Sequence, residues 1–245
     1  MGKIIAVVSG KGGTGKTSFT ANTGLALAAM GCRVLCLDCD ITLRNLDLAL
    51  GLSDTALMDF TDVIKGRCCL ADAAVRHPKY ENLALLAAPP VSAAPDISGQ
   101  DMVRLADEIR QICDFCLVDA PAGFGQGFLL ATAIADSAVV VTTTDQSALR
   151  DAQRTVMELN RFPAGKLHLV VNRVQKKMLK ALRTTIDDAI DTAGLPLLGV
   201  VPEDSDVPFA LNRGIPLRDC NYYAARAYEN IAKRLLGRKI SLMKI

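Results

Sequence analysis

The feature that most restricts the fold of this chain is a glycine-rich loop set between an apolar run and a helix-forming stretch near the N-terminus. The run Lys3–Ser9 (KIIAVVS) is mostly apolar, which is typical of a strand buried on both faces of a parallel sheet. Thr17–Met30 is rich in alanine and leucine and is followed by Gly31, a residue type that commonly ends helices. A strand that leads through a tight loop into a helix predicts an α/β fold.

Apolar runs and helical patterns alternate along the rest of the chain. Further strands are predicted at Arg33–Asp38, Asn82–Ala87, Phe115–Asp119, Ser137–Thr143, Lys166–Asn172 and Pro196–Val201, and further helices at Gln100–Ile112, Gly127–Ala135, Ser147–Leu159, Thr184–Ala193 and Tyr222–Gly237. Strands separated by helices of this length predict a mostly parallel β-sheet with helices on both faces. The proline-containing stretch Ala87–Ser98 predicts a surface loop. We expect a single domain at residues 1–237, followed by a short basic and apolar tail at 238–245.

Composition and charge exclude several classes of protein. Half of the 245 residues are hydrophobic, which is enough for a core, yet no stretch approaches the ~18 consecutive apolar residues of a membrane span. A formal net charge of +2 is too small to indicate a nucleic-acid partner, so no specific nucleic acid is expected. The first apolar run is too short for a signal peptide, and we expect a cytoplasmic protein with reduced cysteines.

Two CxxC pairs, Cys36/Cys39 and Cys113/Cys116, raise the question of a metal site. Cys36 falls inside a predicted strand, where residues three apart point to opposite faces, whereas zinc-binding pairs normally lie on a turn. Small, buried, apolar side chains are therefore the favoured interpretation of these cysteines.

The glycine-rich loop has the spacing GxxxxGK[ST] and predicts a phosphate-binding loop. Its glycines let backbone N–H groups close around phosphate oxygens, and the helix that follows adds its N-terminal dipole. In such loops the lysine, here Lys16, binds the β- and γ-phosphates, and the hydroxyl of Thr17 is a ligand of Mg²⁺. The sequence therefore predicts a single-domain P-loop NTPase whose phosphate site consists of Gly10, Lys11, Gly12, Gly13, Thr14, Gly15, Lys16, Thr17 and Ser18.

A second lysine lies one residue after the first glycine of the loop. With Lys11 in place, SGKGGTGKTS resembles the deviant Walker A motif of the MinD/ParA family of ATPases. In that family the early lysine reaches across a nucleotide-sandwich dimer to the phosphates of the partner, so the resemblance implies catalytic roles for both Lys11 and Lys16. Charge that develops during phosphoryl transfer calls for such a further cation. The resemblance implies an ATPase that uses ATP and Mg²⁺, is slow as a monomer and forms a homodimer with ATP.

Acidic residues follow two of the predicted strands. The segment from Cys36 to Asp40 places two carboxylates beyond a strand, where ligands bind in open α/β sheets, although two acids that merely cap the strand would look the same. The resemblance implies that Asp40 positions or activates the attacking water and that Asp38 helps to order the Mg²⁺ site. Phe115–Asp119 is an apolar strand that ends in an acid, which is the Walker B arrangement, with Asp119 in the Mg²⁺ shell.

A late predicted strand ends in Asn172 and is followed by Arg173, on the edge of the sheet where the phosphate loop is expected. The resemblance implies that the asparagine contacts adenine and that the VPED segment at Val201–Asp204, which includes Pro202, flanks the base. An asparagine that only caps the strand end is the alternative interpretation.

Residues 3–236 follow the pattern of the MinD branch of this family. The most specific stretch is Asp40–Leu52 with its RNLD core, and LLGVVPED at Leu197–Asp204 matches as well. The branch implies an ATPase that controls placement of the division septum, with a MinC-like inhibitor and a MinE-like activator as partners. The branch also implies that Arg44, Asn45 and Asp151 lie on the partner-binding and dimer surfaces. The alternative interpretation is that they are ordinary solvated polar residues.

Other functions of the same family are alternatives. A flagellar-number regulator would look similar in sequence. A ParA-type DNA-partitioning ATPase would need a basic surface, to which Arg173 and the basic residues from Lys176 to Arg183 could contribute, but the RNLD stretch argues against it. An iron–sulfur carrier with the same loop would need a late CxxC, and a bacterial tyrosine kinase would need a tyrosine-rich tail. The sequence lacks both features.

The C-terminal end departs from the branch pattern, because only eight residues follow Gly237. As one helix, Asn230–Ile245 would be ~24 Å long, too short to span ~30 Å of hydrocarbon but able to lie in the interface of an anionic membrane. We expect reversible association with the inner face of the cell membrane. The alternative is that the residues up to Leu236 pack on the domain and the tail frays. The residues expected to face the membrane are Ile231, Leu235, Leu236, Ile240 and Met243.

Overall fold

An eight-stranded sheet runs through the molecule and carries helices on both faces. The computed structural model describes residues 1–91, 97–163, 165–217 and 223–243. The strands are β1 (Lys3–Val8), β2 (Val34–Asp38), β3 (Val75–Arg76), β4 (Leu83–Leu86), β5 (Phe115–Asp119), β6 (Ser137–Thr142), β7 (Leu167–Val174) and β8 (Leu197–Pro202). The helices are α1 (Lys16–Ala29), α2 (Leu46–Ala49), α3 (Phe60–Ile64), α4 (Leu70–Ala73), α5 (Gly99–Ile112), α6 (Gln126–Ala133), α7 (Gln146–Glu158), α8 (Lys176–Leu182), α9 (Ile186–Ala193), α10 (Asp206–Arg213) and α11 (Tyr223–Leu235).

The order of strands in the sheet is β3-β4-β2-β5-β1-β6-β7-β8. Neighbouring strands are parallel except β3 and β4, which pair antiparallel at one edge. Strand β5 lies between β1 and β2, with Asp119 opposite Val7 on one side and opposite Asp38 on the other. The carboxyl ends of these central strands therefore meet at one edge of the sheet, where open α/β sheets bind ligands.

Alternating side chains along the buried strands form two cores. Ile4 and Val8 of β1 point to the face that α5, α6, α7 and α9 cover, whereas Ile5 points to the face that α1 and α11 cover. On this second face the ring of Phe19 meets that of Tyr228 edge-on, with 6.4 Å between centroids, and joins α1 to α11. Helices on both faces and a mostly parallel sheet confirm the predicted fold class.

The cysteines follow the same alternation. Cys36 lies in one core, whereas Cys39 and Cys116 lie in the other, as the strand geometry predicts. Burial raises the pKa of the thiols of Cys39 and Cys116 well above the usual range, which keeps them protonated. Their surroundings are those of small apolar core residues.

The seven predicted strands and the six predicted helices are present to within two residues at each end. The sequence analysis misses the short strand β3 and the helices α2, α3, α4, α8 and α10. The predicted loop at Ala87–Ser98 contains none of the helices and strands given above, and its residues 92–96 lie outside the described residues.

The C-terminal helix ends sooner than the sequence predicts. Helix α11 stops at Leu235, close to the predicted end at Gly237. Residues 236–243 are not helical, so the described part of the chain does not continue as the helix considered for Asn230–Ile245, and residues 244 and 245 lie outside the described part. Arg234 accounts for the change of direction. Its guanidinium donates to the carbonyl of Leu198 on β8 at 2.8 Å and to the carbonyls of Ile240 and Ser241 at 3.0 and 2.9 Å.

The residues expected to face a membrane accordingly pack in part on the domain. Leu235, Leu236 and Met243 contact the core on the side of α1 and α11, Ile231 is fully buried in it, and Ile240 is half-buried. Strand β8 is the last strand of the sheet, and Arg234 supplies a hydrogen-bond donor to this edge. Within the described residues, no helix has both the length and the apolar character needed to cross a bilayer.

Candidate nucleotide-binding site

The phosphate-binding loop connects the end of β1 to the start of α1 at the carboxyl edge of the sheet. Gly15 precedes α1 with a φ of 95°, in the left-handed region that favours glycine. A Cβ on Gly15 would lie 2.2 Å from the amide nitrogen of Asn172 on β7, and a Cβ on Gly10 would lie 2.7 Å from the backbone oxygen of Asp151 on α7. Close packing of β7 and α7 against the loop therefore requires glycine at both positions.

Lys16 is the buried cation of the loop. Its ammonium donates to the hydroxyl of Ser9 at 2.9 Å, and this hydroxyl donates to the backbone carbonyl of Lys11 at 2.7 Å. Burial lowers the pKa of Lys16, while the carboxylates of Asp119 and Asp40 act in the opposite direction. A desolvated ammonium at the N-terminus of α1 is suited to an anion, as the motif predicts. The spacing GxxxxGK[ST] does not include Ser9, which lies one residue before its first glycine.

The predicted metal ligands on α1 and β5 are in contact. Thr17 Oγ1 donates to Asp119 Oδ2 at 2.6 Å, and Thr20 Oγ1 donates to Asp119 Oδ1 at 3.3 Å. Burial raises the pKa of Asp119 to about 6, against the hydrogen bond from Thr17 and the charge of Lys16. Thr20 is a further partner of this carboxylate that lies beyond the motif.

Asp38 lies across from Asp119, at the ends of the adjacent strands β2 and β5. Burial, and next the charge of Asp119, raise the pKa of Asp38 to about 8. The carboxylate accepts hydrogen bonds from the backbone N–H groups of Asp40 at 2.8 Å and Leu46 at 3.4 Å. Asp38 therefore links the metal side of the site to both ends of the loop between β2 and α2.

Asp40 begins that loop and is half-buried. Its carboxylate accepts from the backbone N–H groups of Thr42 and Leu43 at 3.2 and 3.1 Å. Its charge acts on both Lys16 and Asp119, so it borders the phosphate loop. This is the neighbourhood that the sequence analysis expects for it, and its role toward water stays a prediction.

The oxygen atoms at this edge suit a hard cation. Asp38 and Asp119 are buried side by side, and the charge of Asp119 opposes ionisation of Asp38. A divalent cation beside Thr17 would favour the charged form of both carboxylates. Among the described residues, no group of three or more His, Cys, Asp or Glu side chains could hold a metal ion. A magnesium ion would therefore depend on phosphate oxygens and water as well as on Thr17, Asp38 and Asp119, which is how Mg²⁺ is commonly held beside nucleotides.

Lys11 lies outside this buried group. Its side chain is exposed, and its ammonium donates at 3.0 Å to the hydroxyl of Ser147, the second residue of α7. The two lysines of the loop therefore face different surroundings, because Lys16 points into the phosphate site of its own chain and Lys11 is held on α7. Ser147 is a partner that the sequence analysis does not predict, since 136 positions separate it from Lys11.

Asn172 and Arg173 close the other side of the loop. Asn172 is 4% exposed and donates from its amide nitrogen to the carbonyl of Thr14 at 2.8 Å. Arg173 has a φ of 57° and forms an ion pair with Glu203 through Nε at 2.8 Å and Nη2 at 3.1 Å, while its Nη1 lies 3.4 Å from the carbonyl of Gly13. Both residues thus fasten the loop in this structure, and contact with adenine stays a prediction.

A cleft of about 390 Å³ opens beside the loop, which is within the size range of small-molecule sites. Pro202 ends β8 as a buried residue, so the VPED segment reaches this cleft through its next residue, Glu203. The residues that line it come from the phosphate loop, the start of α7, and the ends of β7 and β8: Lys11, Gly12, Gly13, Thr14, Thr143, Thr144, Asp145, Ala148, Arg173, Gln175, Met178 and Glu203.

The residues predicted for partner and dimer surfaces lie on two segments near the phosphate loop. Arg44, with a φ of 47°, and the exposed Asn45 end the loop that leads into α2. Leu43 beside them is 64% exposed. Asp151 is half-buried on α7, next to Gly10. The backbone N–H of Arg44 donates to the carbonyl of Asp40 at 2.9 Å, so each segment adjoins a residue of the predicted site. Their contacts with partners stay predictions.

A phosphate loop between β1 and α1, on a parallel sheet of this order, places the chain in the class of P-loop nucleotide-binding proteins. Comparisons with known proteins narrow that class. The family described as the CobQ/CobB/MinD/ParA nucleotide binding domain matches residues 5–217. The septum site-determining protein MinD of Bacillus subtilis (strain 168) is 39% identical, over 99% of this chain and 92% of its own length.

Solved structures agree with these matches. The MinC:MinD cell division protein complex of Aquifex aeolicus matches with a TM-score of 0.91 and 35% identity, covering 99% of this chain and 98% of that chain. The septum site-determining protein MinD complexed with Mg-ADP from Pyrococcus horikoshii OT3 matches with a TM-score of 0.85 and 32% identity, covering 96% of each chain. The chain therefore belongs to the CobQ/CobB/MinD/ParA nucleotide-binding family and, within it, to the MinD proteins.

Proposed function

We propose that this chain is an ATP-hydrolysing switch that dimerises with ATP and controls where the division septum forms. Support comes from relatives named for septum site determination that match nearly the whole chain, and from a MinC:MinD complex whose MinD has the same fold. In this proposal a MinC-like inhibitor binds the dimer and a MinE-like activator stimulates hydrolysis. The protein moves reversibly between the cytoplasm and an anionic membrane surface.

The different placement of the two loop lysines carries the proposal. Lys16 is buried against Ser9, whereas the side chain of Lys11 is exposed and its ammonium, among the described residues, bonds to the hydroxyl of Ser147 alone. A lysine on a flexible stem can leave a hydroxyl for a phosphate of a second chain without disturbing its own phosphate site. A cation supplied in this way by a second protein increases the rate of phosphoryl transfer by ~10³–10⁵ in other systems.

The remaining roles follow from position. Thr17 and Asp119, with Asp38 beside them, would hold Mg²⁺, which neutralises charge on the phosphate oxygens. Asp40 lies at the border of the phosphate loop, where it would orient water toward the terminal phosphate. Asn172 holds the loop in place through Thr14.

Light scattering on the Asp40→Ala variant tests the switch. Loss of the carboxylate that orients water should slow hydrolysis and leave ATP bound, so we expect a doubled mass with ATP and Mg²⁺ and a monomer with ADP. Lys11→Ala in the same background is the matched control and should stay monomeric with ATP. A monomeric Asp40→Ala protein with ATP at high protein concentration would contradict the proposed dimer.

Binding of the MinC-like partner tests the proposed role in septum placement. The Asp40→Ala dimer should bind the MinC-like protein of the same genome with ATP and not with ADP. Arg44→Glu on the surface next to α2 should abolish this binding, whereas Arg76→Glu on β3, which makes an equal charge change at an exposed position, should not. ATP-dependent dimers that ignore the MinC-like protein would favour another function of the family, such as flagellar control.

A further inference from the structure

A groove with an apolar floor lies between α8, α9, β8 and the tail, and it shares no lining residue with the nucleotide cleft. Its volume is about 630 Å³. The tail contributes Leu242, which is 50% exposed, and Met243. The apolar residues from the domain are Leu179, Ile186, Ile190, Leu197 and Val200. The groove therefore offers an apolar surface that is open to solvent.

The rim of the groove is basic. Lys176, Lys180 and Arg183 line it together with one carboxylate, that of Asp187. All three cations are exposed, and none of them forms an ion pair with a residue in the described part of the chain. A negatively charged ligand is thus favoured at the rim.

The tail is held at the groove by Arg234, which bonds to the edge strand β8 and to the carbonyls of Ile240 and Ser241. This contact keeps Leu242 beside α8 and α9, so that tail and helices form one surface. Apolar side chains surrounded by lysine and arginine are the combination by which interfacial segments bind anionic bilayers. A basic surface alone would also suit nucleic acid, which is bound through its phosphates, but the apolar floor favours lipid.

We propose that this groove, together with the tail beside it, docks on an anionic lipid bilayer, with acyl chains against the apolar floor and headgroup phosphates at the basic rim. The inference rests on the proposed membrane association and extends it from the tail to the α8–α9 face. Membrane contact then involves the α8–α9 face of the folded domain as well as the tail.

A soluble anionic lipid tests the groove without requiring ATP-driven dimerisation. Dihexanoyl phosphatidylglycerol, below its micelle concentration, is titrated into the full chain with ADP while methyl NMR signals are recorded. We expect saturable shifts at the methyl groups of Leu179, Ile186 and Ile190, and weaker shifts with dihexanoyl phosphatidylcholine. Absence of shifts at these methyl groups, or equal shifts with the zwitterionic lipid, would overturn the proposal. Failure of ATP to dimerise the protein would overturn the proposed switch and leave this result standing.

Matched charge variants then test the rim. Lys180→Gln/Arg183→Gln should weaken binding to phosphatidylglycerol vesicles by about 30-fold, because each cation near an anionic surface contributes roughly 1 kcal/mol and 1.4 kcal/mol is tenfold. Lys65→Gln/Arg76→Gln removes the same charge from exposed positions near the opposite edge of the sheet and should bind like the parent. Equal weakening by both variants, or groove shifts produced by a short oligonucleotide in place of lipid, would refute lipid docking.

Discussion

The two lysines of the phosphate loop, five positions apart, predict different defects when each is removed. Lys16→Ala deletes the buried ammonium on Ser9 and should abolish nucleotide binding, since a hydrogen bond to a charged group contributes about 1.5–3 kcal/mol and several are lost with the phosphates. Lys11→Ala deletes an exposed ammonium and should leave most of the affinity, yet lower turnover by ~10³-fold or more. Calorimetric titration with a nonhydrolysable ATP analogue and steady-state ATPase assays measure the two effects. Equally weak binding by both variants would remove the special role of Lys11.

Thr14 gives a residue-scale prediction about stability. It is 3% exposed, and its hydroxyl has no hydrogen-bond partner among the described residues. A buried, unsatisfied polar group costs about 1–3 kcal/mol, so the similarly sized Thr14→Val should raise the free energy of unfolding by roughly 1 kcal/mol and Tm by about 2–4 °C. Thr14→Ser keeps the hydroxyl, removes the methyl group and should lower Tm. Thermal melts of the nucleotide-free protein measure the Tm of both variants and of the parent. A lower Tm for Thr14→Val would show that the hydroxyl is satisfied.

Single residues of the site divide according to how far their partners lie along the chain. Lys16, Thr17 and Asp119 are predictable because each belongs to a local pattern, a glycine loop or an apolar strand that ends in an acid. Ser9 and Ser147 are not, because a lone serine has no spacing signal and its contact depends on which strands become neighbours. Hydroxyl groups that position the motif's charges are thus visible only in the folded chain.

At the scale of elements, Arg234 connects α11, β8 and the tail. Arg234→Gln removes the donors to the carbonyls of Ile240 and Ser241, so residues 236–243 should lose their attachment to the edge of the sheet. We expect amide hydrogen exchange in this segment to become at least several-fold faster, with little change in β8. Lys233→Gln, at the neighbouring half-buried position, is the control and should exchange like the parent. Unchanged exchange in Arg234→Gln would show that apolar contacts alone hold the tail.

The elements that the sequence analysis misses share a physical reason, which is that local signals there are weak or contradictory. Helix α10 contains Pro208, and proline is a helix-breaking residue in most positions. Here it lies at the third position of the helix, where its missing N–H would have no helical partner. Strand β3 has two residues and exists because β4 offers it an edge. The apolar spacing of the tail is compatible with a helix, but the direction of the tail depends on Arg234, whose partner Leu198 on β8 lies 36 residues earlier.

At the scale of the whole molecule, helix α8 lies between the nucleotide cleft and the groove that is proposed to bind lipid. Its neighbour Gln175 and its residue Met178 line the cleft, whereas Leu179 and Lys180 line the groove. Adjacent positions on one short helix thus face two different sites. A ligand that binds in either site and shifts α8 would change the affinity of the other site for its own ligand. Coupling of this kind is reciprocal for binding free energies.

Nucleotide state should control membrane location through the number of tails in the assembly. In the described part of one tail, the exposed cations are Arg238 and Lys239. Each contributes ~1 kcal/mol near an anionic surface, and part of this free energy is lost in ordering the tail. An ATP dimer presents two tails, and the second contact becomes intramolecular, which raises avidity by ~10²–10⁴.

Vesicles containing phosphatidylglycerol should therefore sediment the full chain with ATP and not with ADP. A chain truncated after Gly237 should lose most of this binding, and full-length Lys11→Ala should behave with ATP as the parent does with ADP. Equal sedimentation of the full and truncated chains would show that the tail has no part in binding, while sedimentation of Lys11→Ala with ATP would separate membrane contact from dimerisation.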